Sequence, residues 1–322
     1  MQDEWKELLA EFDLWPREGI SEYNVPIANL PYLRPDGKIM TRQGQERSRL
    51  DNKAIVNQGV NCIIQQGIRT VGSQKTFIAI KRPKYTHQHL RFEAFVQALA
   101  YNALKKEGIF GAIAKPYDVF TFANEVRFTM EWIEGLSCYE FLYQYLDNAA
   151  TFQNMFLHVL LQTAYVLDAL GRNLFIDHRD MKLDNLWIRQ KPITYSILKG
   201  GKPTLYSAPF QVVLLDFGFA CLGTTGRRNL LNLGNVIPDI DPCPKEGRDL
   251  YHIVNRLLEP PSFADTLSPA VRNTLLSWMD PVGPSQHSGS HVKTAPPKFS
   301  LAALSPAKVL AWCLAHGKFG AG

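Results

Sequence analysis

A chain of 322 residues, 46% hydrophobic and 20% charged, has an ordinary globular composition and room for two lobes or domains. Its 35 basic and 30 acidic residues leave a net charge of +5, too small an excess to argue for nucleic acid and compatible with small anionic ligands. The five cysteines (Cys62, Cys138, Cys221, Cys243 and Cys313) are odd in number and lack C-x-x-C spacing, which speaks against a disulfide framework or a zinc site and for a reducing, intracellular compartment, cytoplasm or nucleus.

Trp5, Leu8, Leu9 and Phe12 share one face of a predicted helix over 2–13, charged unlike a signal peptide and stopped by Pro16. Residues 14–50, rich in Pro, Gly and charge, read as an irregular extension. Short β-prone runs follow over 53–82: KAIV, NCIIQQ, IRTVG and KTFIAIK, with a hairpin turn at GSQK, 72–75. An amphipathic helix is predicted over 89–106. PYDVFTF and EVRFTMEWI then form a hairpin turning at Ala123-Asn124. Gly135 ends that run, and the pattern becomes helical at 137–146 and 151–172. His158, Gln162 and Asp168 break the most apolar stretch, so it is not a membrane span. Strands are predicted at NLWIR (185–189) and QVVLLDF (211–217), with a Gly-Gly hairpin inserted at 190–209. Helices at 247–259, 268–279 and 304–316 complete the chain, with a flexible Pro/Ser/Gly/His-rich loop at 281–298. Strands first and helices afterwards make an α+β protein, with a small β-rich N-lobe carrying one main helix and a larger α-rich C-lobe. The expected division is 1–50, 51–134 and 135–322.

The stretch DHRDMKLDN, 177–185, sets six ionisable side chains and an amide directly after the apolar Leu174-Phe175-Ile176. Such crowding suits a loop that holds a base, a metal ligand and a phosphate-binding cation close together. His178, Arg179, Asp180, Lys182 and Asn185 resemble the protein-kinase catalytic loop, H-R-D-x-K-x-x-N, at every fixed position. Asp216-Phe217-Gly218 is similar to the kinase D-F-G, and Ile78-Ala79-Ile80-Lys81 to the V-A-I-K strand. The three motifs occur in the family's order within residues 55–260, so the expected fold is bilobal and protein-kinase-like.

The resemblance implies roles. Asp180 is the catalytic base, and Lys182 reaches the transferred phosphate. Asn185 and Asp216 hold Mg2+, for which oxygen donors are suited. Lys81 grips the α- and β-phosphates of ATP. Its helical partner is Glu93, 12 residues on (93 − 81), with Glu107 the rival. FTMEWIEG resembles the hinge between kinase lobes: Met130 borders the adenine pocket, and backbone groups of Glu131 and Ile133 pair with adenine. Ile64 and Ala79 form the roof, and Trp187 the floor, where the family has an aliphatic residue. His178, Arg179, Gly218 and Asp249 give structural support, Asp249 by bracing the catalytic-loop backbone.

The sequence also departs from the family. Of the glycine-rich loop only Gly59 survives, in Asn57-Gln58-Gly59-Val60-Asn61-Cys62-Ile63-Ile64, which implies a weaker phosphate grip. Asp180 and Asp216 stand 36 positions apart (216 − 180), an insertion similar to that of haspin-like kinases. The A-P-E motif has only Ile237-Pro238-Asp239 as a likeness, and Thr224 or Thr225, if phosphorylated, would be partners for Arg179. Cys62 and Cys221 read as small buried hydrophobes. The leading expectation is an ATP- and Mg-dependent kinase of Ser/Thr hydroxyls on protein substrates, Lys182 favouring Ser/Thr over Tyr. A pseudokinase scaffold and a small-molecule kinase stand as alternatives.

Overall fold

Period-2 alternation of apolar side chains shapes the first part of the chain, and 3.6-residue periodicity the rest. The computed structural model of the protein describes residues 30–59, 62–85, 90–199, 202–222, 244–279, 302–317 and 319. The expected helix at 2–13, Thr224, Thr225, Ile237-Pro238-Asp239 and the loop at 281–298 lie outside them. The described residues fall into two units. The smaller runs to Lys106 and includes Ile113–Ile133; the larger takes Glu107–Ala112 and the chain from Glu134 onward.

In the small unit seven strands close a barrel: β1 (Tyr32–Leu33), β2 (Lys38–Met40), β3 (Glu46–Gln58), β4 (Cys62–Val71), β5 (Gln74–Pro83), β6 (Pro116–Phe122) and β7 (Glu125–Glu131). Their order is β1-β2-β3-β4-β5-β7-β6, and β1 pairs in parallel with β6 to seal it, Tyr32 opposite Thr121. Residues 32–50, expected to be irregular, therefore supply β1, β2 and the start of β3, and β3 runs unbroken through position 51. Charge and turn residues masked these strands because β1 and β2 have only two and three residues. The expected separate runs NCIIQQ and IRTVG are likewise joined, from Cys62 to Val71, in the one strand β4. A Cβ at Gly67 between them would meet Ile80 Cδ1 at 2.9 Å and the Asp51 carbonyl at 3.1 Å, so glycine marks a close approach rather than a break. The β6–β7 turn falls at Ala123 and Asn124, both left-handed at φ 49° and 65°, as the twist of a two-residue hairpin requires.

Ile39, Leu50, Ile78, Ile80 and Phe120 fill the barrel core. Asp118, on the same face of β6 as Phe120, is 0% exposed. Its carboxylate accepts Ser48 Oγ (3.0 Å) and Arg69 Nε and Nη2, and Arg47 Nε lies 3.3 Å away. One buried charge thus ties β6 to β3 and β4. Helix α1 (Leu90–Lys106) packs on β6 and β7.

The large unit is mainly helical: α2 (Cys138–Tyr143), α3 (Ala149–Leu174), α4 (Arg248–Leu258), α5 (Pro261–Thr266), α6 (Pro269–Met279) and α7 (Pro306–His316). Its short strands are β8 (Leu136–Ser137), β9 (Ile176–Asp177), β10 (Leu186–Arg189), β11 (Ile193–Lys199), β12 (Lys202–Ala208), β13 (Gln211–Leu214) and β14 (Cys221–Leu222). Ser137 and Glu140 form a reciprocal capping box on α2. Helix α3 starts at Asn148, whose side chain accepts the Thr151 N–H, and packs against α7.

The inserted hairpin is β11–β12, folded onto the large unit by buried Tyr195, Ile197 and Tyr206 while Leu205 points outward, 73% exposed. Tyr206 meets His158 of α3 at 2.5 Å, and burial lowers the His158 pKa to about 4. Gln162 of α3 donates to the Phe210 carbonyl and accepts the Val212 N–H, so its amide acts as a strand partner for β13. Cys62, Cys138 and Cys313 are not in disulfides, and Cys62 is only half-buried rather than the buried hydrophobe expected. Cys221 is disulfide-bonded, which overturns its reading as a plain buried hydrophobe.

Removing the carboxylate at Asp118 leaves two arginines facing the barrel interior. Asp118→Ala should cost about 3 kcal/mol, near the lower end for a broken buried pair because both arginines are partly solvated. A drop in the small unit's melting temperature would report this, and Asp118→Asn, which keeps the Ser48 bond, should cost less.

Candidate functional site

The small unit carries the first cluster. On β5, Ile78 and Ile80 point into the barrel, so Ala79 and Lys81 point to the opposite face. Pairing sets Ile64 opposite Lys81 and Met130 opposite Ala79, so these four share one face. Helix α1 covers part of it. Its first turn carries Glu93, a carboxylate placed favourably at a helix N-terminus. Lys81 Nζ lies 2.5 Å from Glu93 Oε1, with the residues 3% and 4% exposed. Glu107, the rival partner, lies beyond α1 in the large unit and accepts Asn173 Nδ2 and Arg172 Nη2.

Gln97 of α1 donates to the Ala114 carbonyl and reaches Met130 Sδ at 3.4 Å, holding Met130 in place. The Glu131 N–H already donates to the Lys115 carbonyl at 2.8 Å, so adenine would have to use other backbone groups of the hinge. Ile133, the last residue of the small unit, is buried. Gly59 follows β3, and its N–H donates to the Cys62 carbonyl at 2.9 Å. It is absent from the left-handed backbone positions, and a Cβ there would make only ordinary contacts. Residues 60–61 lie outside the described residues.

The second cluster belongs to the large unit. Helix α3 stops at Phe175, left-handed at φ 50°, and the chain enters β9 and then the loop that begins at His178. Asp249, in the first turn of α4, accepts the N–H groups of His178 (2.7 Å) and Arg179 (2.8 Å). Arg179 is left-handed at φ 65°, a conformation a branched-off side chain adopts at a cost, and the two bonds to a carboxylate hold it there. His178 Nε2 is 2.9 Å from the Leu215 carbonyl, so that nitrogen carries the proton, and its ring packs on Phe217 at 4.9 Å.

Asn185 then joins the loop to the D-F-G segment. Its Nδ2 donates to the Asp180 carbonyl (2.8 Å) and to Asp180 Oδ2 (3.1 Å). Its own carbonyl accepts the Leu215 N–H at 2.9 Å, one residue before Asp216. Lys182 Nζ lies 3.3 Å from Asp180 Oδ2. Asp216, left-handed at φ 65°, accepts the Gly218 N–H at 3.4 Å. Trp187 sits on β10 between Ser137 and Val213, and its Nε1 comes within 3.2 Å of where a Cβ at Gly135 would stand. Within one unit Asp180, Lys182 and Asn185 thus touch through a hydrogen bond and an ion pair, and Asp216 follows directly on Leu215, whose N–H is bonded to the Asn185 carbonyl.

The Asn185 amide and the Asp216 carboxylate are hard oxygen donors at adjacent strand ends, a donor set that fits a divalent cation such as magnesium. Among the described residues no three or more His, Cys, Asp or Glu side chains cluster to cage a metal. A cation held by Asn185 and Asp216 would complete its shell with waters and phosphate oxygens.

Reasoning from the sequence alone missed Asp177 and Gln162. Asp177 had a legible signal, an acidic residue in an otherwise apolar run before the catalytic loop; Gln162 had none beyond a polar residue in an apolar helix.

In its elements the chain is an α+β protein, a β-rich unit with one main helix followed by a mostly helical unit. No family model matches the sequence, and no curated protein matches it. Solved structures do. The BubR1 kinase domain aligns with a TM-score of 0.41 and 16% identity, over 68% of this chain and 60% of that one. A Plasmodium kinase domain aligns with a TM-score of 0.42 and 14% identity, over 78% of this chain and 73% of that one. The chain therefore spans about 60% of the BubR1 structure it matches. No helix among the described residues is long and apolar enough to cross a membrane.

Lys81 and Glu93 are buried together, so losing one partner should cost more than losing both. Lys81→Met is expected to destabilise the small unit by about 3–5 kcal/mol. Lys81→Met combined with Glu93→Leu should recover most of that in thermal melting.

Proposed function

We propose that this protein is an ATP- and Mg-dependent serine/threonine protein kinase. One observation carries the reading: Asp180 Oδ2 is engaged by both Asn185 Nδ2 and Lys182 Nζ, while the Asn185 carbonyl is bonded next to Asp216. The arrangement leaves Asp180 Oδ1 to accept the proton of an attacking hydroxyl. In the transfer, the hydroxyl oxygen bonds to the γ-phosphorus and the bond from that phosphorus to the bridging oxygen of ADP breaks. The hydroxyl proton passes to Asp180. Lys182, beside the same carboxylate, offsets charge on the phosphoryl oxygens as they move. Magnesium bound by Asn185 and Asp216 supplies charge neutralisation on the phosphates.

Lys81 has the role of holding the α- and β-phosphates, with Glu93 fixing its ammonium. Ile64, Ala79 and Met130, on the Lys81 face of the small unit, supply apolar surface for adenine together with Ile133. His178, Arg179, Gly218 and Asp249 keep the loop backbone in shape. The substrate is a protein Ser or Thr hydroxyl; Lys182 favours it over tyrosine.

A second reading, a nucleotide-binding scaffold without transfer, draws on Gly59, which neither adopts a glycine-only backbone nor sits where a Cβ is barred. One set of variants separates the two. Asp180→Asn should lower turnover by about 100-fold or more yet keep the melting-temperature rise with Mg-ATP. Asp216→Asn should lose both. A wild-type protein that binds Mg-ATP but transfers nothing to itself or to generic protein substrates supports the scaffold. Undiminished transfer in both variants refutes the kinase assignment.

A further inference from the structure

Asp177, immediately before the catalytic loop, has no role in the mechanism above, yet it is only 6% exposed. It lies on β9, opposite Cys221 of β14. Its Oδ2 accepts the Lys245 N–H at 2.7 Å and lies 3.4 Å from Nη1 of Arg248, a residue 0% exposed. Arg248 neighbours Asp249, whose carboxylate holds the N–H groups of His178 and Arg179. The two segments therefore hold each other reciprocally. An aspartate from 177–179 takes a backbone N–H of 245–249, and an aspartate from 245–249 takes two of 177–179. Two carboxylates and two guanidiniums, Asp177, Asp249, Arg179 and Arg248, are buried in this cluster.

The pair Asp177–Arg248 is pulled in opposite directions. Burial and the nearby Asp249 push the Asp177 carboxyl up, while Arg248 and the Lys245 N–H hold it down. The Lys245 hydrogen bond persists in either ionisation state, because a protonated carboxyl keeps one oxygen as a pure acceptor. The backbone stitch is therefore the part that endures, with Arg248 beside it.

A buried ion pair is weak grounds for stability. Apolar residues of like volume at such sites are often as stable or more so. What apolar residues cannot supply is an acceptor for the Lys245 N–H. We propose that Asp177 is a positioning residue: through Lys245 it fixes where the chain after the D-F-G segment returns to the catalytic loop, and so sets the placement of Asp180. This rests on the kinase reading for its consequence and on the hydrogen bond alone for its geometry.

Three variants, compared by turnover, by KM for ATP, by melting temperature and by amide hydrogen exchange at Lys245, test it. Asp177→Asn retains an oxygen acceptor and should lose less than about fivefold in kcat. Asp177→Leu removes the acceptor and leaves Arg248 buried beside an apolar group. It should lose stability and about tenfold or more in kcat, with KM for ATP changed less than about twofold. In Asp177→Leu/Arg248→Met the stability should return, while the low kcat and faster Lys245 exchange remain. Recovery of kcat together with melting temperature would reduce Asp177 to a purely structural part and overturn the proposal. If the wild type transfers no phosphate, the kinase reading fails by itself. Lys245 exchange then decides the stitch, and unchanged exchange in the double variant overturns it.

Discussion

The carboxylate of Asp249 sets the shape of the loop that begins at His178. Two backbone N–H groups, from His178 and Arg179, end on its two oxygens, and the second belongs to a residue in left-handed backbone. A conformation of that kind costs of the order of 1–3 kcal/mol and persists only where its surroundings over-determine it. Two charge-assisted bonds inside the protein do that. With Arg179 held, His178 reaches the Leu215 carbonyl, Asn185 reaches Asp180 and Leu215, and Asp216 follows. Among the described residues, five non-glycines have positive φ; two form the β6–β7 turn and three are Phe175, Arg179 and Asp216. Among the described residues, left-handed non-glycine backbone outside that turn falls at the end of α3 and in the two segments bearing the proposed chemistry.

The small unit solves a different problem with simpler means. A lysine that must be charged and also buried needs a partner and a rigid backbone. Strand alternation sends Ile78 and Ile80 into the barrel and leaves Lys81 on the face that α1 covers. Register then fixes Ile64 and Met130 beside it. The helix meets the requirement for a counter-charge with Glu93 rather than Glu107, because Glu107 has passed the end of α1 and is taken up by Asn173 and Arg172.

What could be read from residues alone follows from which forces are local. Helix α1, helix α3, the hairpin turn at Ala123-Asn124 and the inserted β11–β12 hairpin announce themselves through periodicity and turn chemistry. The strands at 32–33 and 38–40 do not, because short segments carry no period and their partners lie elsewhere in the chain. Gly67 looked like a break, and only the closeness of Ile80 explains it as a fit. The residues His178 to Asn185 stood out because phosphoryl-transfer chemistry, here a proposal, restricts residue type at fixed spacing. Asp118 was not singled out, since a buried carboxylate differs from a solvated one only through its partners, whereas Asp177 was passed over despite its place at the end of an apolar run.

Closing the barrel has a consequence for the order of events during synthesis. Tyr32 pairs with Thr121, 89 positions further on (121 − 32), so the seam joins the beginning of the described chain to a strand made much later. Until β6 has left the ribosome, β1 has no neighbour on one side, and loop-closure entropy opposes any earlier union. The nascent small unit must wait as an open ribbon with unpaired edges, a state prone to wrong pairing with other chains. The strand that ends this exposure is β6, so the topology makes its synthesis the step at which the barrel can first close.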